Sequence, residues 1–298
     1  MSTPRALILA PIAIGALWGL GTPLTKLAVT GGWQPLGVLV WQAVVMIVAG
    51  AIAVTLRGRP LPRGTRAWAT CAMVALIGTL LPQAAIWRAL QDLPGGVMAI
   101  VVSLTPLLSL PLAVAMGLDR ATLPRVAGVA LGTAGVATIA ASAMGLGGGA
   151  LSPAGLAIAL VAPACFALNG NLLDRLDRGG LDPFQLVLGS ALLALPTALL
   201  LATATGQLRL PTTAMPDLAM LGATLIHAVA YTGLLWVIGQ GGAVFAALTN
   251  PFITGFGVLW SMALLSERYP APVWIGLALI LAGLALVRPR DRTLLPKA

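Results

Sequence analysis

Charge in this chain is confined to short clusters. The 17 basic and 8 acidic residues leave between them apolar stretches of about the ~20 residues that a helix needs to cross a bilayer core. Few folds accept that pattern. Only 8% of residues are charged and 59% are hydrophobic, with a mean hydropathy of +0.99, whereas a soluble domain carries roughly a quarter charged residues. A transmembrane β-barrel would show ~10-residue segments alternating polar and apolar side chains, and nothing here alternates in that way. The sequence therefore predicts an all-α integral membrane protein.

Runs between charge clusters and Gly/Pro breaks predict ten transmembrane helices near 7–28, 35–56, 67–90, 95–117, 123–143, 153–173, 183–204, 217–238, 241–265 and 271–287. The first run is too long for a secretory signal and a second follows closely, so it reads as an uncleaved helix. The longest polar connection is Arg57–Arg66. Cytoplasmic loops carry the Lys/Arg excess. With the N-terminus inside, 13 basic residues fall on the cytoplasmic side: Arg5, Arg57, Arg59, Arg63, Arg66, Arg120, Arg125, Arg175, Arg178, Arg288, Arg290, Arg292 and Lys297. Only Lys26, Arg88, Arg209 and Arg268 fall outside. An even number of spans in a cytoplasmic (inner) membrane, both termini cytoplasmic, follows. The +9 net charge reads as topology and contact with the anionic lipid bilayer, with no nucleic-acid partner.

The chain also repeats itself. At a shift of 148 residues Pro35 falls on Pro183, Asp119-Arg120 on Glu267-Arg268, Pro124 on Pro272, Gly128 on Gly276 and Gly135 on Gly283. This divides it into a first five-helix repeat, 1–146, and a second, 147–298. Five is odd, so the second repeat enters the membrane inverted, an arrangement common in secondary transporters. At a shift of 145, Thr105-Pro106 falls on Asn250-Pro251. A proline inside a membrane helix frees a carbonyl that must find another donor, and matching interruptions in two halves point to a central cavity. Pro106 and Pro251 are accordingly the expected helix-break or gating positions.

Three stretches, "AIGALWGLGTPLTKLAV", "LQDLPGGVMAIVVSLTPLLSLPLAV" and "GGAVFAALTNPFITGFGVLWSMALLSERYPAPVWIGLALILAGLALV", resemble the EamA family of the drug/metabolite transporter superfamily. The most specific piece is a proline-interrupted helix ending near Glu267 with Gly276 opening the last helix. The first half departs from it with Asp119 where Glu is usual. The resemblance implies ten helices in two inverted five-helix repeats around a central cavity, and export or exchange of small metabolites, amino acids among them.

Polar residues within spans must be paired or functional. Gln83 and Trp87 share one helix face in the third span, and His227 and Tyr231, also four apart, share another in the eighth. Two such faces, one per half, can line opposite walls of one cavity. The expected substrate contacts are Gln83, Trp87, His227, Tyr231 and Asn250, with Trp18, Thr22, Thr105 and Asn169 nearby. Each has a structural alternative, since an intramembrane His or Gln often bonds helix to helix and a Trp often packs. Lys26 is expected to snorkel to the headgroups. The GxxxG pairs Gly15/Gly19 and Gly128/Gly132 predict close helix packing, within the chain or in a homodimer.

All eight acidic residues fall at span ends or in loops, so no midplane carboxylate serves as a proton relay. Coupling to protons would fall to His227 or to a carboxylate nearer the surface, and facilitated diffusion or exchange is the simpler expectation. No GxxxxGK[ST] run occurs, and one histidine and two cysteines, Cys71 and Cys165, give no metal-ligand spacing, so no cofactor or metal is expected. An intramembrane enzyme pairing a Ser with His227 lacks a nucleophile motif, and a lipid-flipping or structural role would show no saturable flux. A cavity of Gln, Asn, His, Tyr and Trp without fixed charge suits neutral or zwitterionic small-molecule substrates, amino acids or their analogues.

Overall fold

The computed structural model describes residues 5–141, 152–176, 180–247 and 249–287. The repeat boundary at 146/147 and the basic tail, Arg288 to Lys297, lie outside the described residues, as does Arg178. Among the described residues the chain is entirely helical, with α1 Arg5–Thr30, α2 Pro35–Leu56, α3 Thr65–Met73 and α4 Leu81–Asp92 in the first part of the chain. Next come α5 Gly95–Val102, α6 Thr105–Ala115 and α7 Leu123–Ala141, then α8 Pro153–Arg175 and α9 Pro183–Ala204. The last three are α10 Met215–Ala247, α11 Thr249–Leu265 and α12 Ala271–Leu286. A π-helical segment, Val74–Leu80, joins α3 to α4, so Thr65–Asp92 is one continuous span. Among the described residues seven stretches are long and apolar enough to cross a membrane. Leu123–Ile139, Thr249–Leu265 and Ala271–Leu286 are shorter apolar helices.

Helix boundaries follow local chemistry. Proline opens α2, α8 and α9, where a missing N–H has no cost. Asp182 caps α9 in a reciprocal box with Gln185. The interruption expected at Thr105-Pro106 is a true break at 103–104. Pro106 leaves the Val102 carbonyl without a helical donor, and the Thr105 hydroxyl donates to it at 2.8 Å. Asn250-Pro251 likewise lies in the first turn of α11. The second half differs at one point: the sequence reading starts the ninth span at 241, whereas α10 continues to Ala247. Pro94 separates α4 from α5 in the first half, and the matching position, Gly239, keeps its N–H, so the ladder is not cut.

Packing between the halves is reciprocal. Helix α1 lies against α10 and α11, while α8 lies against α4 and α6; α2 packs on α9 and α7 on α12. Both GxxxG pairs are used inside the chain. A Cβ on Gly19 would lie 2.7 Å from the Gly257 nitrogen, so α1 and α11 touch backbone to backbone. In α7 and α12 repeat-equivalent glycines meet crosswise: a Cβ on Gly128 would lie 2.6 Å from Gly283 O, and one on Gly135 2.6 Å from Gly276 O. Asn171 also joins the halves, donating to Ser109 O and Oγ and to Ala167 O.

At the start of α10, fully buried Asp217 accepts from Trp33 Nε1 at 2.8 Å, Arg209 Nη2 at 2.6 Å and Thr212 N at 2.7 Å. This pins the α1–α2 connection to the segment before α10.

Candidate functional site

A central cavity of about 420 Å³ lies between the halves, within the range of small-molecule sites. Every residue predicted to contact substrate lines it. Trp18 and Thr22 enter from α1, Gln83 and Trp87 from α4, and Thr105 from the first turn of α6. Asn169 enters from α8, His227 and Tyr231 from α10, and Asn250 from α11. Asn250 is exposed and is one of the residues that line the cavity. Of the two prolines Pro106 lines the wall, whereas Pro251 is not among the lining residues.

Three rings gather on one wall. His227 and Tyr231 stack one helical turn apart, their centroids 6.1 Å apart and their planes 9° from parallel. Trp18 stands nearly perpendicular to both, at 5.5 Å from His227 and 6.0 Å from Tyr231, the edge-to-face arrangement that ring quadrupoles favour. The sequence reading placed Trp18 near this pair without giving it a partner. Gln83 and Gln42 are buried and also line the cavity. The π-helical segment contributes Val74, Gly78 and Thr79. A Cβ on Gly78 would lie 3.0–3.1 Å from all three outer atoms of Asn169, so the Asn169 amide lies flat on the glycine. Its Oδ1 is buried there and makes no hydrogen bond.

The lining contains no Lys, Arg, Asp or Glu among the described residues. Hydroxyls supply much of the remaining polarity, from Thr25, Ser103, Ser190, Thr224 and Thr254. Sequence reasoning did not select these, since Ser and Thr in membrane helices ordinarily bond back to their own backbone. Ser103, Ser190 and Thr224 do so, each to the carbonyl three residues before it. Lys26 departs from expectation. Instead of snorkelling outward it donates to Leu90 O at 2.6 Å and Leu93 O at 2.8 Å.

The EamA-like transporter family matches the chain twice, over residues 5–141 and 153–288, one match for each half of the bundle that encloses the cavity. The chain belongs to the EamA-like transporter family. Both matches run through the helices that supply the cavity residues, so this EamA-family chain is a multi-pass membrane protein of two related halves. A protein of solved crystal structure, 19% identical, superposes with a TM-score of 0.66 over 95% of this chain and 96% of that one, which shows a shared fold. No curated protein matches the chain.

Proposed function

We propose that this EamA-family protein is a secondary transporter that moves small neutral or zwitterionic organic metabolites, amino acids or their analogues among them, by alternating access. The observation that carries this is the cavity: about 420 Å³, contributed by both halves, polar through amides, hydroxyls and aromatic rings, and without a charged side chain on its described lining. A phosphorylated or strongly anionic solute would need a deep Lys or Arg to offset its desolvation, and none lines the wall. A zwitterion brings its own compensating charges, and the aromatic trio of Trp18, His227 and Tyr231 offers an apolar face to the rest of such a molecule.

On this reading all ten helical stretches span the inner membrane, with both termini on the cytoplasmic, arginine-rich face. The second half is inverted with respect to the first. The crosswise glycine contacts support the inversion. If two equivalent helices are related by a two-fold axis across them, residue i of one meets residue j of the other and the reverse, as Gly128 with Gly283 and Gly135 with Gly276 do. The protein works as an exporter or an exchanger, and the unit is a monomer or homodimer.

The test is solute binding. Purified protein is screened by thermal shift against neutral and zwitterionic metabolites, and the Kd of each hit is measured again after Gln83→Ala and His227→Ala. Loss of one hydrogen bond, about 1 kcal/mol, raises Kd roughly fivefold. Unchanged affinity in both variants would remove the cavity assignment.

A further inference from the structure

The two ends of the cavity differ. Where α4 gives way to α5 its lining is sealed, with Trp87, Leu90 and Met98 only 3%, 0% and 1% exposed. Toward the other end Asn250 is exposed, and Asn169, Tyr231 and Leu234 are partly so. That open end is on the side of the arginine-rich connections Arg57–Arg66 and Arg120–Arg125, because Asn250 begins α11 and Asn169 nears the end of α8.

The seal is the α4–α5 connection, gripped at both of its free ends. Pro94 cannot donate to Leu90 O, and that carbonyl, with Leu93 O, receives the Lys26 ammonium instead. On the amide side Gly95 N donates to Glu267 Oε1 at 2.8 Å and Gly96 N to Glu267 Oε2 at 3.3 Å. The Tyr269 hydroxyl accepts from Gly96 N at 3.1 Å and donates to Glu267 Oε2. A cation therefore sits on the C-terminal end of one helix and a carboxylate on the N-terminal end of the next, the signs that helix dipoles favour. Both glycines are required by the approach: a Cβ on Gly96 would strike the Tyr269 phenol, and one on Gly95 would lie 2.7 Å from Ser261 Oγ. Burial and the Glu267 carboxylate push the Tyr269 phenol above its ordinary range, so it stays a neutral donor.

The grip joins two separate walls. Lys26 belongs to α1 and Glu267 follows α11, and these helices are locked to each other through Gly15, Gly19 and the Trp260 Nε1 bond to Ala16 O. Helix α4 packs chiefly on α8 and to a lesser extent on α1, while α5 packs on α11, so the α4–α5 connection lies where the two walls meet. At the opposite end the repeat counterpart of Glu267, Asp119, accepts from Arg125 Nη1 at 2.8 Å and Arg120 N at 2.7 Å.

Resting on the transporter reading above, we propose that Lys26, Glu267 and Tyr269 are the latch that closes the cavity away from the arginine-rich face, so that releasing Gly95-Gly96 and Leu90 opens it there. They are positioning residues, touching the α4–α5 connection rather than the solute. The test is one-sided cysteine labelling in membrane vesicles with a membrane-impermeant maleimide, in a Cys71→Ala/Cys165→Ala background. Thr25→Cys reports the sealed end and Asn250→Cys the open end. In the parent, Asn250→Cys reacts from the arginine-rich face and Thr25→Cys is protected from the other. Adding Glu267→Gln or Lys26→Met speeds Thr25→Cys labelling from that other face about tenfold and slows Asn250→Cys labelling, with Tyr269→Phe giving a smaller shift in the same directions. Reciprocity separates a latch from general loosening, which would speed both sites. Unchanged Thr25→Cys labelling in both variants, faster labelling at both sites, or an unprotected parent would overturn the latch. A reciprocal shift in protein that moves no solute would keep the latch and remove the transporter.

Discussion

Replacing Gly135 by alanine tests the crosswise packing of α7 on α12. The new Cβ would lie 2.6 Å from Gly276 O and 2.8 Å from Ile280 Cγ1, where ordinary contact begins at 3.4 Å, so the two helices must part by about 0.8 Å. The nearer obstacle is a backbone carbonyl, which cannot change rotamer. Overpacking of this kind costs about 1–3 kcal/mol. Alanine also gains helix propensity over glycine, about 1 kcal/mol, so the comparison needs a glycine with the same gain and no clash. Gly170 in α8 is one, because a Cβ there meets nothing within 4 Å. Relative to Gly170→Ala, Gly135→Ala should be less stable by about 1–3 kcal/mol, which at roughly 2–4 °C per kcal/mol places its Tm several degrees lower. The assay is thermal unfolding of purified protein in detergent. Gly276→Ala, whose Cβ would lie 2.7 Å from Gly135 O, should fall beside Gly135→Ala. The double variant should lose less than the sum, because helices parted for one methyl already accommodate the other. A Gly135→Ala protein as stable as Gly170→Ala would refute the reasoning.

Asn171→Leu should destabilise the protein by about 0.6–2 kcal/mol, read as a lower Tm, since the amide donates across to Ser109 and nothing apolar replaces that bond. Solute flux in proteoliposomes should equilibrate, without accumulation, under an imposed pH gradient, because the described cavity lining holds no carboxylate to carry a proton. Gradient-driven accumulation lost in His227→Gln would instead make His227 the proton carrier.

What the sequence revealed divides by range. Helix positions, the repeat and the proline pair were legible because each is written in local chemistry: apolar length, charge clusters, and prolines recurring in register. His227 with Tyr231, and Gln83 with Trp87, were legible because four-residue spacing alone sets a shared helix face. The π-helical segment at Val74–Leu80 was not, since its residues are ordinary for an α-helix. Nor were the ends of Lys26 and Glu267 legible. Their partners are backbone groups of Leu90, Leu93, Gly95 and Gly96, far along the chain, and carbonyls and amides have no signature in a sequence. Lys26 at a span end therefore read as a snorkelling side chain. Continuity of α10 through 241–247 followed from a proline the second half lacks, a negative signal that two adjacent glycines obscured.

Counterflow in proteoliposomes tests the central claim most directly. Vesicles preloaded with a solute that shifts the Tm of the purified protein are diluted into trace labelled solute, and entry of label is followed without ATP or an ion gradient. Alternating access around a shared cavity predicts saturable entry, faster with preload than without and suppressed by Gln83→Ala. Entry no faster than into protein-free vesicles, for every solute that binds, would contradict it.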